Sequence, residues 1–160
     1  MTSAFGIGEK LFFSIFHSIS AFNNAGFSIF TDGLYNEYLQ HSFMIHIIIT
    51  ILVFTGSLGF PAFMNLFGNL RERIKSPWKQ LNISTKIALY TSIALVLFGA
   101  VFFMFLEKDN ALQGQNFLQS MVTSIFQSQA RTSGFSTVNI GALTTPMLLI
   151  LIFLMFIGGS

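Results

Sequence analysis

Residues 87–106 read IALYTSIALVLFGAVFFMFL, a run of twenty residues without Asp, Glu, Lys or Arg. About 20 predominantly apolar residues are needed for an α-helix to cross a bilayer, so this run predicts a membrane span. Two further stretches are comparably apolar: FMIHIIITILVF at residues 43–54 and LLILIFLMFI at residues 148–157. The sequence therefore predicts three spans, the third of which only begins in this chain.

The composition agrees with a membrane location. The chain has 160 residues, 52% of them hydrophobic, and 9% charged, against about 25% in an average soluble domain. Too few charges are present to cover a soluble exterior, and mean hydropathy is +0.68. The basic residues are too few and too localised for a nucleic-acid surface. No nucleophile–base pair or carboxylate pair suggests catalysis, and no cysteine is present for thiol chemistry.

A short basic loop orients the predicted spans. By the positive-inside rule this loop is expected in the cytoplasm, which makes the chain a multi-pass cell-membrane protein. The first span then runs from outside to inside, and the second returns to the outside. The short EKDN stretch at residues 107–110 is therefore expected outside. The basic residues of the loop are Arg71, Arg73, Lys75, Lys79 and Lys86, against a single acidic residue, Glu72.

Two other uncharged segments are too polar to face lipid. They read LFFSIFHSISAFNNAGFSIFT at residues 11–31 and NALQGQNFLQSMVTSIFQSQA at residues 110–130. Unpaired Asn, Gln and Ser side chains are costly in hydrocarbon, and the apolar part of each segment is too short to cross. Backbone of this kind is tolerated at membrane depth only where protein or water shields it. Both segments are therefore predicted to be re-entrant and to enter from outside.

The two polar segments carry an internal repeat. Residues 25–28 read AGFS and residues 133–136 read SGFS, while SIFHS at 14–18 parallels SIFQS at 124–128. The distance to the glycine differs by two residues, so the alignment requires a small gap. A repeat spaced by about 110 residues with matched topology indicates a duplicated module.

The predicted module is a span, a short re-entrant helix, a glycine-bearing extended stretch and another span. The C-terminal end of such a helix carries about half a negative charge and would point toward the membrane centre. Backbone carbonyls in the stretch that follows can replace the hydration shell of a cation. Glycine suits this stretch because it permits positive φ and adds no side chain beside the ion path. The layout favours a cation pore.

These residues resemble a known family. FHSISAFNNAGFS at 16–28 and SQARTSGFSTV at 128–138 are similar to the second and third pore loops of the Trk/Ktr/HKT potassium transporters. TGSLGFPAF at 55–63 resembles an inner helix of that family, with Pro61 expected to kink it. FIGGS at 156–160 resembles the start of a glycine-rich break in the third inner helix.

The resemblance implies an all-α integral membrane protein in which four membrane–pore–membrane repeats, each with a re-entrant pore helix, surround one pathway. Two of the four would be present here in part. Residues 1–70 would hold the second pore helix, filter loop and inner helix, residues 71–86 the cytoplasmic loop, and residues 87–160 the third repeat. The implied function is potassium uptake, with the potassium ion as substrate and no cofactor.

The resemblance also implies site residues and partners. Gly26 and Gly134 would be the filter glycines, with potassium bound by their backbone carbonyls and by those of four neighbours: Asn24, Ala25, Thr132 and Ser133. Gly158 and Gly159 would open a gating loop, or would simply pack helices closely. Expected partners are the remaining repeats, a second copy in a homodimer, a cytosolic nucleotide-binding regulatory subunit and lipid.

Alternatives remain open at several residues. The chain as a whole would also suit a non-transporting membrane scaffold or assembly subunit that uses its glycines for helix packing. Arg131, beside the second filter stretch, is expected to hold the loop through carbonyl bonds or an ion pair rather than to tune the ion path. His17, His41 and His46 lack the spacing of metal ligands. The side chains of Asn23 and Asn24 are expected to brace the loop.

Overall fold

A computed structural model describes residues 6–30, 33–35, 42–67 and 82–158 of the chain. Within these ranges the fold is all-helical, with no strand. His41, Gly159 and four residues of the basic loop (Arg71, Arg73, Lys75 and Lys79) lie outside them. The helices are α1 Ile7–Phe22, α2 Phe43–Ser57, α3 Phe60–Phe67, α4 Ile83–Leu106, α5 Phe117–Ala130 and α6 Thr145–Gly158, with short 3-10 helices at Gly33–Tyr35 and Ile140–Ala142.

Helix α4 is the one helix in the described part of the chain that is long and apolar enough to cross a membrane. It has 24 residues, so its length is about 36 Å at 1.5 Å per residue. It begins at Ile83, four residues before the predicted uncharged run, because a helix can continue through the polar residues that flank an apolar core. Lys86 therefore lies in its first turn.

The first predicted span, residues 43–54, lies within α2, and α3 follows it after a break. Helix α2 ends at Ser57, and Gly59 follows with a φ of +78°, the left-handed conformation that commonly ends helices at this position. Pro61 is the second residue of α3, in the first turn, where its missing N–H costs nothing. The interruption therefore lies at Leu58 and Gly59, and not at Pro61 as the sequence suggested.

Helix α5 is the most enclosed element. It packs against α4 on one side and α2 on the other, while α6 packs against α4. Although α5 is polar, nearly all of its C-terminal half is buried: Thr123, Ser124, Phe126, Gln127, Ser128, Gln129 and Ala130.

A glycine permits the close approach of α4 and α5. A Cβ on Gly99 would overlap the Ser128 hydroxyl and would lie 2.7 Å from a Leu154 methyl group, so α4, α5 and α6 meet at this point. The Ser128 hydroxyl donates to the carbonyl of Val96 at 2.8 Å. The polar helix is thus anchored to the backbone of the apolar one.

The outer faces of the apolar helices are exposed. Ile87 on α4 and Phe156 on α6 are 58% and 88% exposed. An enclosed polar helix beside helices with exposed apolar faces is the distribution expected of a protein whose exterior contacts lipid.

Candidate functional site

The helices of the two polar segments, α1 and α5, begin in the same way. Their first residues are 110 positions apart, and each has a first-turn side chain that accepts a hydrogen bond from the backbone N–H before the helix. Glu9 accepts from Gly6 at 2.9 Å, and Gln119 accepts from Asn116 at 3.1 Å. These bonds satisfy N–H groups that have no partner within the helix.

The two-residue gap in the repeat lies at the end of α1. Helix α1 has 16 residues and α5 has 14, and the additional two follow the aligned region. Phe22 and Ala130, the last helical residues, each precede the repeat glycine by four positions. The C-terminal end of each helix carries a partial negative charge. In both repeats this end lies the same number of residues before the glycine.

Both loops turn back on the helix through their N–H groups. Ala25 N–H donates to Ser20 O at 2.9 Å, and Gly134 N–H donates to Ala130 O at 3.0 Å. Gly26 and Gly134 have φ values of +69° and +80°, and Asn24 has a φ of +55°. Glycine takes this conformation without cost, and asparagine tolerates it better than most residues.

The structure brings the two loops into direct contact across more than 100 residues of sequence. Asn24 Nδ2 donates to Thr132 Oγ1 at 3.3 Å. A Cβ on Gly26 would overlap the Ser133 carbonyl oxygen and would lie 3.2 Å from the Gly134 Cα. Glycine is therefore favoured at position 26 for two reasons: its φ is positive, and the other loop occupies the space that a side chain would need.

Gly134 has a different environment. A Cβ built on it meets no atom of the described chain within 4 Å. Gly134 thus faces open space, whereas Gly26 is covered by backbone.

The six carbonyl oxygens predicted as ligands share one property. None of them accepts a hydrogen bond from any residue that the structure describes, although the N–H groups nearby are directed to the helix ends. Carbonyl oxygens that accept no hydrogen bond from the protein remain available to water or to a cation. They belong to Asn24, Ala25, Gly26, Thr132, Ser133 and Gly134.

The side chains around the loops hold the backbone. Arg131 donates from Nη1 to Ser128 O at 2.6 Å and from Nε to Leu154 O at 3.3 Å, which joins the end of α5 to α6. The guanidinium is therefore directed at carbonyls, as expected from the sequence. Asn23 Nδ2 donates to Ile19 O at 2.9 Å, and Asn24 bridges the loops.

Three contributors to the site were missed in the sequence. A Cβ on Gly56 would overlap the carbonyl oxygen of Phe22, so this glycine lets α2 reach the end of α1. His17 and Gln127 both contact the loop serines, and they occupy the position at which SIFHS and SIFQS differ. That difference inside an otherwise repeated pattern was the available signal. Gly158, the proposed gate residue, is the last residue of α6.

Comparison with known proteins identifies relatives. Residues 3–160 match the family described as TrkH, cation transport protein. The chain is 37% identical to Ktr system potassium uptake protein B of Vibrio alginolyticus, over 94% of this chain and 32% of that protein. It is 31% identical to the protein of the same name from Bacillus subtilis, over 98% and 34%.

A third relative is named for the uptake of two ions. The chain is 28% identical to potassium/sodium uptake protein NtpJ of Enterococcus hirae, over 98% of this chain and 33% of that protein. The chain thus spans about a third of the length of these curated relatives. The family match covers nearly the whole chain and agrees with the paired loops, so the chain belongs to the TrkH family of cation transport proteins.

Proposed function

We propose that this chain supplies two of four membrane–pore–membrane units of a potassium uptake protein, and that α1 and α5 are its re-entrant pore helices. Potassium would pass through a filter built partly from the carbonyls of residues 24–26 and 132–134. The observation that carries this proposal is the meeting of two equivalent loops whose carbonyls accept no hydrogen bond from the described residues. Carbonyl dipoles can replace the water that a cation loses on entry.

Electrostatics supports the same proposal. Helices α1 and α5 both end four residues before their glycines, so the partial negative charges of two helix C-termini lie near the same loops. Arg131 is occupied with carbonyls of α5 and α6. Its charge is therefore held in the helix contact rather than offered to the carbonyls of the loops.

The names of the relatives support the choice of substrate and of partners. Two are called Ktr system potassium uptake proteins, and "system" indicates more than one component. We therefore propose a cytosolic nucleotide-binding regulatory subunit, a homodimer and surrounding lipid as partners. Gly158 and Gly159 would begin a gate in the third inner helix, and the assembly would cross the cell membrane several times.

The test is Gly134→Ser in the complete protein, with rubidium and sodium uptake measured in cells. The new hydroxyl would enter the open space beside Gly134 and compete with the carbonyls as a ligand. We expect the preference for the larger ion to fall about tenfold, which corresponds to ~1.4 kcal/mol of relative stabilisation. Surface expression, measured in parallel, serves as the control.

The same experiment discriminates between a transporter and a membrane scaffold. A scaffold would lose assembly when its glycines are altered and would show no selectivity to lose. An unchanged uptake ratio in a well-expressed Gly134→Ser protein would remove Gly134 from the filter.

A further inference from the structure

One pair of equivalent contacts links each of the two helices to the loop that follows it. His17 Nε2 lies 3.0 Å from Ser28 Oγ, and the side-chain amide of Gln127 lies 3.0 Å from Ser136 Oγ. His17 and Gln127 are 110 residues apart, as the helix starts are, whereas the serines are 108 apart, as the glycines are. The contact between helix and loop serine is therefore present in both repeats, although α1 has two more residues between the two partners than α5 has.

The tautomer of His17 follows from its surroundings. Nδ1 lies 2.7 Å from the carbonyl oxygen of Phe13, which can only accept, so Nδ1 carries the proton. In the neutral ring, Nε2 then has a lone pair and accepts from the Ser28 hydroxyl. The ring is 8% exposed and stacks on Phe30 at 5.5 Å, which leaves it little freedom to rotate.

Ser28 links the fixed His17 ring to the backbone of the loop. Its Oγ accepts from the N–H of Phe30 at 3.2 Å, two residues beyond it. Ser20 of α1 also donates to the carbonyl of Phe27 at 2.9 Å. The segment after Gly26 is therefore held by side chains of α1 at two successive residues.

Gln127 does the same for the second loop. With its amide oxygen directed at the loop, Gln127 accepts from the N–H groups of Thr137 at 3.0 Å and Val138 at 3.1 Å, and this oxygen lies 3.0 Å from Ser136 Oγ. The Ser136 hydroxyl also lies 2.6 Å from the carbonyl oxygen of Val138, the second acceptor available to its proton. Ser136 Oγ also accepts from the N–H of Val138 at 3.3 Å, as Ser28 does from Phe30. Each helix thus presents a buried acceptor to a serine two residues after the glycine.

We propose that His17 and Gln127 are positioning residues for ion selection. They fix the loop downstream of each glycine and thereby set where the carbonyls of residues 24–26 and 132–134 lie, without contacting the ion. This inference rests on the proposed filter. It assigns selectivity to side chains outside the loops, one aromatic and one amide, whose shared property is an acceptor aimed at a serine hydroxyl.

The experiment compares three variants in the complete protein by their rubidium-to-sodium uptake ratio. His17→Gln installs the residue of the other repeat and keeps an acceptor, so its ratio should stay near that of the unaltered protein. His17→Leu removes the acceptor, and Ser28→Ala removes the donor. Each should lower the ratio about fivefold, as expected when one ordinary hydrogen bond is lost.

A double variant and a matched control complete the test. His17→Leu combined with Ser28→Ala should lower the ratio no further than either change alone, because both remove the same bond. Ser14→Ala is the control: Ser14 lies on α1, but its hydroxyl bonds the carbonyl of Lys10 in the same helix. Its ratio should not change.

The outcomes separate this inference from the proposed function. A ratio unchanged in both His17→Leu and Ser28→Ala, with Gly134→Ser still altering it, would overturn the positioning role and leave the filter intact. A ratio that Gly134→Ser does not alter would remove Gly134 from the filter and would contradict the proposed function instead. Ser28→Ala removes a single oxygen, so it keeps the test decisive if His17→Leu fails to reach the membrane.

Discussion

Gly26 and Gly134 occupy equivalent positions in the repeat, but the lack of a side chain serves a different purpose at each. Both have positive φ, which accounts for part of the preference for glycine. At Gly26 the Ser133 carbonyl occupies the space that a Cβ would need, whereas at Gly134 that space is open. Gly26 is thus a packing residue of the paired loops, and Gly134 is the one beside free volume.

This asymmetry predicts unequal effects of alanine at the two glycines. Gly134→Ala incurs only the conformational cost of positive φ, about 1–2 kcal/mol for a non-glycine residue. Gly26→Ala incurs that cost and must also separate the loops, because its methyl group overlaps backbone that cannot rotate away. Thermal unfolding of the purified complete protein should show a clearly larger loss of Tm for Gly26→Ala.

Gly33→Ala is the matched control for the effect of φ. Gly33 has a φ of +61°, and a Cβ there meets no atom of the described residues within 4 Å. Its Tm should resemble that of Gly134→Ala. Equal losses at Gly26 and Gly33 would mean that the loops do not approach each other as closely as described.

Among the helices, α4 and α6 are joined by a buried acid. Glu107, directly after α4, is 0% exposed, and its Oε1 accepts from Thr144 N at 2.8 Å and from Thr144 Oγ1 at 2.6 Å. Its Oε2 accepts from Asn110 Nδ2 at 2.7 Å. Thr144 immediately precedes α6, so the carboxylate lies at the positive end of that helix. The sequence had placed Glu107 in an external stretch without a structural role.

Removing this carboxylate should loosen α6. Glu107→Ala leaves one backbone and two side-chain donors without an acceptor, and we expect a loss of ~3 kcal/mol or more in the free energy of unfolding. Glu107→Gln keeps one acceptor oxygen and should lose less. Amide hydrogen exchange of the first turn of α6 would locate the effect.

Lys108→Ala provides the comparison for Glu107. Lys108 is adjacent but exposed, so its truncation should leave exchange in α6 unchanged. Equal protection of α6 in Glu107→Ala and Lys108→Ala would show that the carboxylate does not hold the helix.

At the scale of the whole molecule, polar side chains are buried beside two hydrophobic clusters, while the outer faces of the apolar helices are exposed. The buried half of α5 carries Gln and Ser side chains, while the outer faces of α4 and α6 carry Ile, Leu and Phe. Such an arrangement is stable where the surroundings are hydrocarbon, because the polar side chains then bond one another and the protein backbone. Helix α4 is long enough to cross a membrane. Its orientation would therefore set the orientation of the helices that pack against it.

The orientation of α4 can be measured with two cysteines, since the chain has none of its own. Asn82→Cys and Lys108→Cys place exposed thiols at opposite ends of the helix, and Asn82 makes no capping bond that would be lost. We expect a membrane-impermeant maleimide to label position 108 from outside and position 82 only after permeabilisation. Labelling of both from one side would exclude α4 as a span, and the reverse pattern would invert the orientation.

The two polar helices were accessible from the sequence because their signal is local. Polar segments too short to span, with matching SIFHS and SIFQS cores and matching G-F-S ends, predicted α1 and α5 before any contact was known. The family resemblance drawn from them is confirmed. The filter carbonyls, the gate and the division of the chain into repeats stay predictions.

Other features were placed wrongly or incompletely from the sequence. The break was expected at Pro61 but lies at Leu58 and Gly59, because a glycine with positive φ can end α2 while a proline is tolerated in the first turn of α3. The two-residue gap was visible in the alignment, but only the structure assigns it to the last turn of α1.

The sequence by itself determined what this chain is made of: apolar helices, two polar helices between them and a duplicated glycine-bearing loop. Composition and short-range repetition suffice for that, since they reflect the surroundings each segment requires. Only the tertiary structure decided that Gly26 meets Ser133, that Asn24 bonds Thr132 and that Glu107 holds α6. Those contacts join residues 37 to 108 positions apart, and no local pattern encodes which distant partner a loop will meet.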